Sequence, residues 1–174
     1  MSTTRILSVA GAGALWIAAG IAFAQPQRGS ASRTVLAAPD QRFLEQAAKA
    51  GYMNVELGKM GAEKATNPKV KEYAQKVVAD HSKMNSELHA LAKEKGLTLP
   101  ATHAPDPAAA RLSKMSGEAF DKAFMHQMAT EHQREITLYE TESKSGVDAD
   151  VKGFAAKQLP ELRAHMDAMK AMQP

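Results

Sequence analysis

The chain has no cysteine, which excludes disulfide staples, thiol catalysis and thiolate metal sites. It is poor in aromatic residues, at 5%, and Ala, Met, Leu, Lys and Glu take their place, a balance that favours helix over sheet. It has no block of like charge. Its 22 Lys+Arg and 19 Asp+Glu are interspersed along the chain, which argues against a nucleic-acid binder. There is no Gly-rich phosphate loop and no nucleophile elbow for Ser-His-Asp chemistry. Beyond the first two dozen residues nothing is apolar enough to span a membrane.

What is present begins with an export signal. Met1–Arg5 form a short positive segment, Ile6–Phe23 are uncharged and mostly apolar, and Ala22-Phe23-Ala24 is an A-x-A cleavage site. Residues 1–24 therefore read as a signal peptide cleaved after Ala24; the rival reading is an uncleaved anchor. The absence of cysteine excludes a lipid-anchored lipoprotein. Arg5 is the only charge removed, so the mature chain carries 21 basic against 19 acidic residues. Residues 25–39, rich in Gln, Pro, Arg, Gly, Ser and Ala, lack periodicity and read as a disordered linker. The expected compartment is the periplasm, and residues 40–174 are long enough for one domain with a sizeable core.

Four long helices are expected. Pro39-Asp40 opens the first, with Asp40 as N-cap, and Phe43, Leu44, Ala47, Ala48, Gly51, Val55, Gly58, Ala62 and Ala65 recur at helical spacing. Asn67-Pro68 ends it and starts the second, whose face holds Val70, Tyr73, Ala74, Val77, Met84, Leu88 and Leu91 and which stops at Lys95-Gly96. Residues 97–110 contain Pro100, Pro105 and Pro107 and form an extended connection, with a short helical turn expected around Arg111–Ser116. The third helix runs from about Glu118 to Ser145, and Gly146 separates it from a fourth between about Asp148 and Met172. Pro160 lies opposite the apolar face of that helix and is expected to bend it rather than end it. No repeat, heptad run or low-complexity tract competes with this pattern. Two antiparallel hairpins joined by a long connection is the connectivity of an all-α, ferritin-like four-helix bundle.

The informative residues are polar ones at apolar positions. On helical wheels Asn54 falls inside the apolar arc of the first helix and His81 near the centre of the second. Glu131, His132 and Glu135 fall within or beside the arc of the third. In the fourth, His165 lies in the arc and Glu161 at its border. Counting from the turns puts Asn54, His81, His132 and Glu161 at one level, with His165 one turn further along. Burying ionisable groups is costly unless they are paired or metal-bound. Three imidazoles from three helices, with Glu131 or Glu135 for a carboxylate and Asn54 for a weak oxygen, make a candidate site for a divalent transition metal: Zn, Fe, Mn or Cu. The competing reading is a metal-free hydrogen-bonded network, such as His81 with Glu131 or Glu135, that sets helix register. A di-iron site would need Glu-x-x-His on two helices, but the residues three before His81 and His165 are Val78 and Leu162. A redox enzyme is therefore disfavoured. Met166, Met169 and Met172 could offer thioethers to copper, although the same spacing makes a core stripe. His89, His103 and His126 fall off the core arcs and read as surface residues.

Asn54-Val-Glu-Leu-Gly58, Val78-Ala-Asp-His-Ser82, Gly117-Glu-Ala-Phe-Asp121, Glu131-His132 and Leu159-Pro-Glu-Leu-Arg-Ala-His165 occur in that order. In this the chain resembles the bacterial family catalogued as domain of unknown function 4142, over about residues 40–172. The resemblance implies an exported, ferritin-like protein without an established activity. It also implies that His81, His132, His165 and Asp121 stand at positions the family tends to keep. The first position of the Asn54 segment is often Glu in that family, and Asn here removes one potential anionic ligand. The leading expectation is an exported, non-enzymatic bundle with a buried His/Glu/Asn cluster suited to a divalent metal. The alternative is a metal-free structural or interaction protein of envelope stress. The sequence names no partner and leaves a homo-oligomer open.

Overall fold

The computed structural model describes residues 36–102 and 106–172. The signal segment 1–24, residues 25–35 of the linker and His103 lie outside the described residues. Among the described residues five helices follow one another: α1 (Ala38–Lys64), α2 (Pro68–Glu94), α3 (Pro107–Leu112), α4 (Gly117–Ser145) and α5 (Ala149–Ala171). Among the described residues there is no strand, and no helix is long and apolar enough to cross a membrane.

Local chemistry accounts for most of the boundaries. The Asn67 side chain accepts from Lys69 N at 2.9 Å and caps α2, with Pro68 in the first turn where its missing N–H costs nothing. Asp148 caps α5 in the same way, through Asp150 N at 2.9 Å and Val151 N at 3.1 Å. At the end of α2, Gly96 takes a φ of 76°, and Leu97 N reaches back to Ala92 O at 2.8 Å, closing a Schellman motif. Pro160 sits on the exposed side of α5, which runs on past it.

Two expectations are corrected. The short turn placed at Arg111–Ser116 is instead α3, which starts at Pro107 because Asp106 Oδ1 accepts from Ala108 N at 2.6 Å. Asp40 is not the N-cap of α1, which begins after Ala37. It is fully buried and accepts from Val147 N (2.9 Å) and Asp148 N (2.8 Å), in the turn between α4 and α5. Asp121, near the start of α4, does the same for the turn between α1 and α2. Its carboxylate accepts from Thr66 N (3.0 Å), Thr66 Oγ1 (2.6 Å) and Asn67 N (2.8 Å).

These reciprocal bonds put the start of each of α1 and α4 beside the end of the other, so the two helices are antiparallel. Lys95 at the end of α2 bonds Asp148 and Asp150 at the start of α5, so α2 and α5 are antiparallel as well. With hairpins α1/α2 and α4/α5, every neighbouring pair runs in opposite directions. The hairpins also repeat each other in sequence, a relation not evident from the sequence by itself. Asp40 and Asp121, Phe43 and Phe124, Asn54 and Glu135, the caps Asn67 and Asp148, Val70 and Val151, and Tyr73 and Phe154 each stand 81 residues apart.

The core has two apolar clusters. One gathers Phe43, Leu44, Leu88, Tyr139 and Val151, and the other Leu57, Tyr73, Val77, Phe120 and Phe124. Gly61 lets Phe124 and Ala74 close on α1, since a Cβ there would lie 2.5 Å from the Phe124 ring. Between the two clusters lies a layer of buried polar side chains.

Candidate metal centre

His81, His132 and His165 are each fully buried in that layer, one on each of α2, α4 and α5. His132 Nε2 lies 3.3 Å from His81 Nε2 and 3.1 Å from His165 Nδ1. One ring nitrogen from each residue falls within 4.8 Å of the other two. The helical phases bring the imidazoles to the core face, and packing of α4 against α5 brings His165, rather than Glu161, level with His132. Glu161 instead reaches the surface, with its side chain 41% exposed, and bonds Lys76.

The far nitrogens fix where the protons are. His132 Nδ1 is 2.9 Å from Met128 O, a carbonyl that can only accept, so this nitrogen carries the hydrogen and Nε2 is a bare lone pair. His165 Nε2 is 2.8 Å from Asp80 Oδ2. Burial pushes the Asp80 carboxyl up, but the bonds from Lys76 and His165 outweigh it and hold the group below its ordinary range, as an ionised acceptor. His165 Nε2 therefore donates, and in the neutral ring its Nδ1 is the bare nitrogen. Two lone pairs are thus opposed across 3.1 Å, an arrangement that a cation or an added proton relieves. His81 completes the set. Its Nδ1 lies 3.9 Å from Glu135 Oε1, beyond hydrogen-bond range, and neither atom has another partner.

Burial and the neighbouring His132 and His165 hold His81 well below the usual imidazole range. Burial pushes His132 down to about 4, followed by the effect of His165 and against the Met128 bond. Both are neutral at pH 7, the form that ligates metal. Burial, then the Glu131 carboxylate, pushes Glu135 up to about 8. The His81–Glu135 approach is therefore a contact of neutral groups, not an ion pair.

The other candidates separate. Asn54 is fully buried and its Nδ2 donates to Glu135 Oε2 at 2.8 Å, so the two form the floor beneath His81. Asn54 Oδ1 has no partner. Glu131 does not join them. It is buried as well, but its Oε1 accepts from Gln127 (2.7 Å) and Arg134 (2.9 Å) on its own helix. Asp121 is a turn cap and not a ligand. His126 is exposed, whereas His89 is half-buried and its Nε2 bonds the Tyr52 hydroxyl at 2.7 Å. Met169 is buried in the apolar core, as a core stripe requires. The sequence reading missed Asp80, which orients His165. Its one signal was membership of the Val78–Ser82 segment beside His81.

Residues 25–172 match the family model described as Domain of unknown function (DUF4142). The chain belongs to this family. No curated protein matches it. Among solved structures, a DUF305 fragment from Deinococcus radiodurans is similar at a TM-score of 0.70 and 14% identity, covering 78% of this chain and 95% of that one. A conserved hypothetical protein, rv2844, from Mycobacterium tuberculosis aligns at 0.64 and 14% identity, over 78% and 97%. CopM in its Cu(I)-bound form aligns at 0.65 and 20% identity, over 76% and 93%. At these identities the likeness is one of fold.

Proposed function

We propose that this is an exported, non-enzymatic bundle protein that holds one transition-metal ion, copper before zinc, on His81, His132 and His165. The observation that carries the reading is the opposition of bare imidazole nitrogens. Met128 O and Asp80 each take the hydrogen on the far side of a ring, as the outer partners of metal-bound histidines do. The nitrogens that face one another come from three imidazoles, and Glu135, the carboxyl beside His81, is neutral at pH 7, a set that suits copper or zinc over the oxygen-seeking ions. CopM, which shares the fold, has been seen in Cu(I)-, Cu(II)- and Ag-bound forms, and this supports copper as the first ion to test. Full burial of the three rings favours holding an ion over turning over a substrate. The export reading rests on the N-terminal signal pattern.

The test is elemental mass spectrometry on untagged mature protein beside a His81→Ala/His132→Ala/His165→Ala variant whose helicity is checked by circular dichroism. About one equivalent of copper or zinc in the wild type and none in the variant is the expected result. No metal in either protein after incubation with Cu, Zn, Fe and Mn would overturn the reading and leave a structural polar layer.

A further inference from the structure

The triad is sealed, yet one of its members faces outward. His165 Nε2 lies 2.8 Å from Asp80 Oδ2 and 3.5 Å from Glu161 Oε1. These three groups form a second set of ligand atoms within 4.8 Å of one another. The carboxylates are accessible, with side chains 26% and 41% exposed, whereas His165 is fully buried. A cation already sits between them. Lys76 Nζ is 2.5 Å from Asp80 Oδ2 and 2.6 Å from Glu161 Oε1.

The surroundings lead outward from this cluster. Lys76 also lines an open groove of about 430 Å³ between α2 and α5, together with Glu72, Tyr73 and Met172. Tyr73 forms the wall between groove and triad, its ring centroid 6.2 Å from that of His165 and 6.5 Å from that of His132. The groove thus borders the carboxylate pair through Lys76 and the triad through Tyr73, and His165 is common to the inner and outer sets of ligands.

We propose that Lys76, Asp80 and Glu161 form a loading gate for the triad: an outer divalent-cation site, filled in the resting protein by the Lys76 ammonium, from which an ion passes to His165. The proposal rests on the reading of the triad as a metal centre. Asp80 and Glu161 supply two hard oxygen ligands, and His165 Nε2 becomes the third when the ring takes its other tautomer, its hydrogen moving to Nδ1, 3.1 Å from the bare Nε2 of His132. The Lys76 side chain is 54% exposed and swings into solvent when an ion displaces it. It thereby sets a threshold, since an ion must compete with a tethered ammonium before reaching the core.

The experiment is stopped-flow uptake of Cu(II) by the mature protein, followed by competition with a chromophoric metal indicator. Glu161→Gln is chosen over an Asp80 variant because Asp80 also orients His165. It should take up copper about tenfold more slowly than wild type, as expected when a cleft loses half its focusing charge, with the same final stoichiometry. Lys76→Met should load faster than wild type and reach the same end point. Equal uptake rates in all three proteins would overturn the gate and leave the triad standing. If the wild type takes up no copper at all, the triad reading fails, and the outer site is judged by electron paramagnetic resonance with Mn(II). Saturable binding to Lys76→Met that is absent from Lys76→Met/Glu161→Gln would uphold it, and no binding to Lys76→Met would reject it.

Discussion

At the residue scale the polar layer works through acceptors that cannot donate. A carbonyl at Met128 and a carboxylate at Asp80 settle the tautomers of His132 and His165, and the inner nitrogens are left without hydrogens. The direction of the three rings was legible in the sequence, because a helix repeats every 3.6 residues and the apolar arc points to the core. Their outer partners were not, because a backbone carbonyl leaves no mark in a sequence. Glu131 shows what the wheel leaves open: it is buried, as its phase predicts, but its carboxylate is taken by Gln127 and Arg134 of its own helix. Glu142 is another buried acid, at the α4–α5 turn. Burial, then its hydrogen bond to Asp40, pushes it up to about 7 from 4.5. A raised folded pKa binds protons that the unfolded chain releases, so its contribution is complete below about pH 4.5 and is lost as pH rises through 7. Glu142→Gln should therefore flatten the pH dependence. By urea unfolding it should gain on the order of 2–3 kcal/mol over wild type at pH 8 relative to pH 5. Parallel pH profiles for the two proteins would contradict this assignment.

At the element scale, turns and caps are the most and the least legible features. Asn67-Pro68 and Lys95-Gly96 end and start helices by short-range chemistry, and the structure uses them so. Asp40 looks like a cap from its neighbours in sequence, but its partners lie more than a hundred residues away. No local pattern distinguishes the two roles. Asp121 is the matching case, and removing it should be expensive. Asp121→Ala strands Thr66 N, Thr66 Oγ1 and Asn67 N, and a loss of about 2–4 kcal/mol is expected from charge-assisted bonds at a part-buried turn. Chemical denaturation measures it. A loss under 1 kcal/mol would mean that water replaces the carboxylate without cost.

At the scale of the whole molecule, the architecture was legible as two hairpins and a proline-rich connection, because helix length, turn residues and loop length leave few alternatives. The repeat between hairpins was not, since it survives only at scattered positions, several of them caps and core residues. A metal held only by the folded bundle must stabilise the whole of it. With free copper at about 100 times Kd the gain is about 2.7 kcal/mol, or roughly 5–10 °C in Tm for a domain of this size. Calorimetry should show that rise in the wild type and no rise in the triple alanine variant. Equal melting with and without copper would mean that the ion binds the unfolded chain as well.

The crossed aspartates bear on what the covalent connection is for. Asp40 belongs to the first hairpin and secures the turn of the second; Asp121 belongs to the second and secures the turn of the first. Each half leaves turn N–H groups for the other to satisfy, so each is unfinished without the other. The triad divides unevenly between them, with His81 on the first half and His132 and His165 on the second. Two copies of the first half would bring two imidazoles, and two copies of the second would bring four. Beyond the packing of Leu99 and Leu112, what the link between α2 and α4 contributes is stoichiometry: one of each half in every molecule, and so three imidazoles in every core.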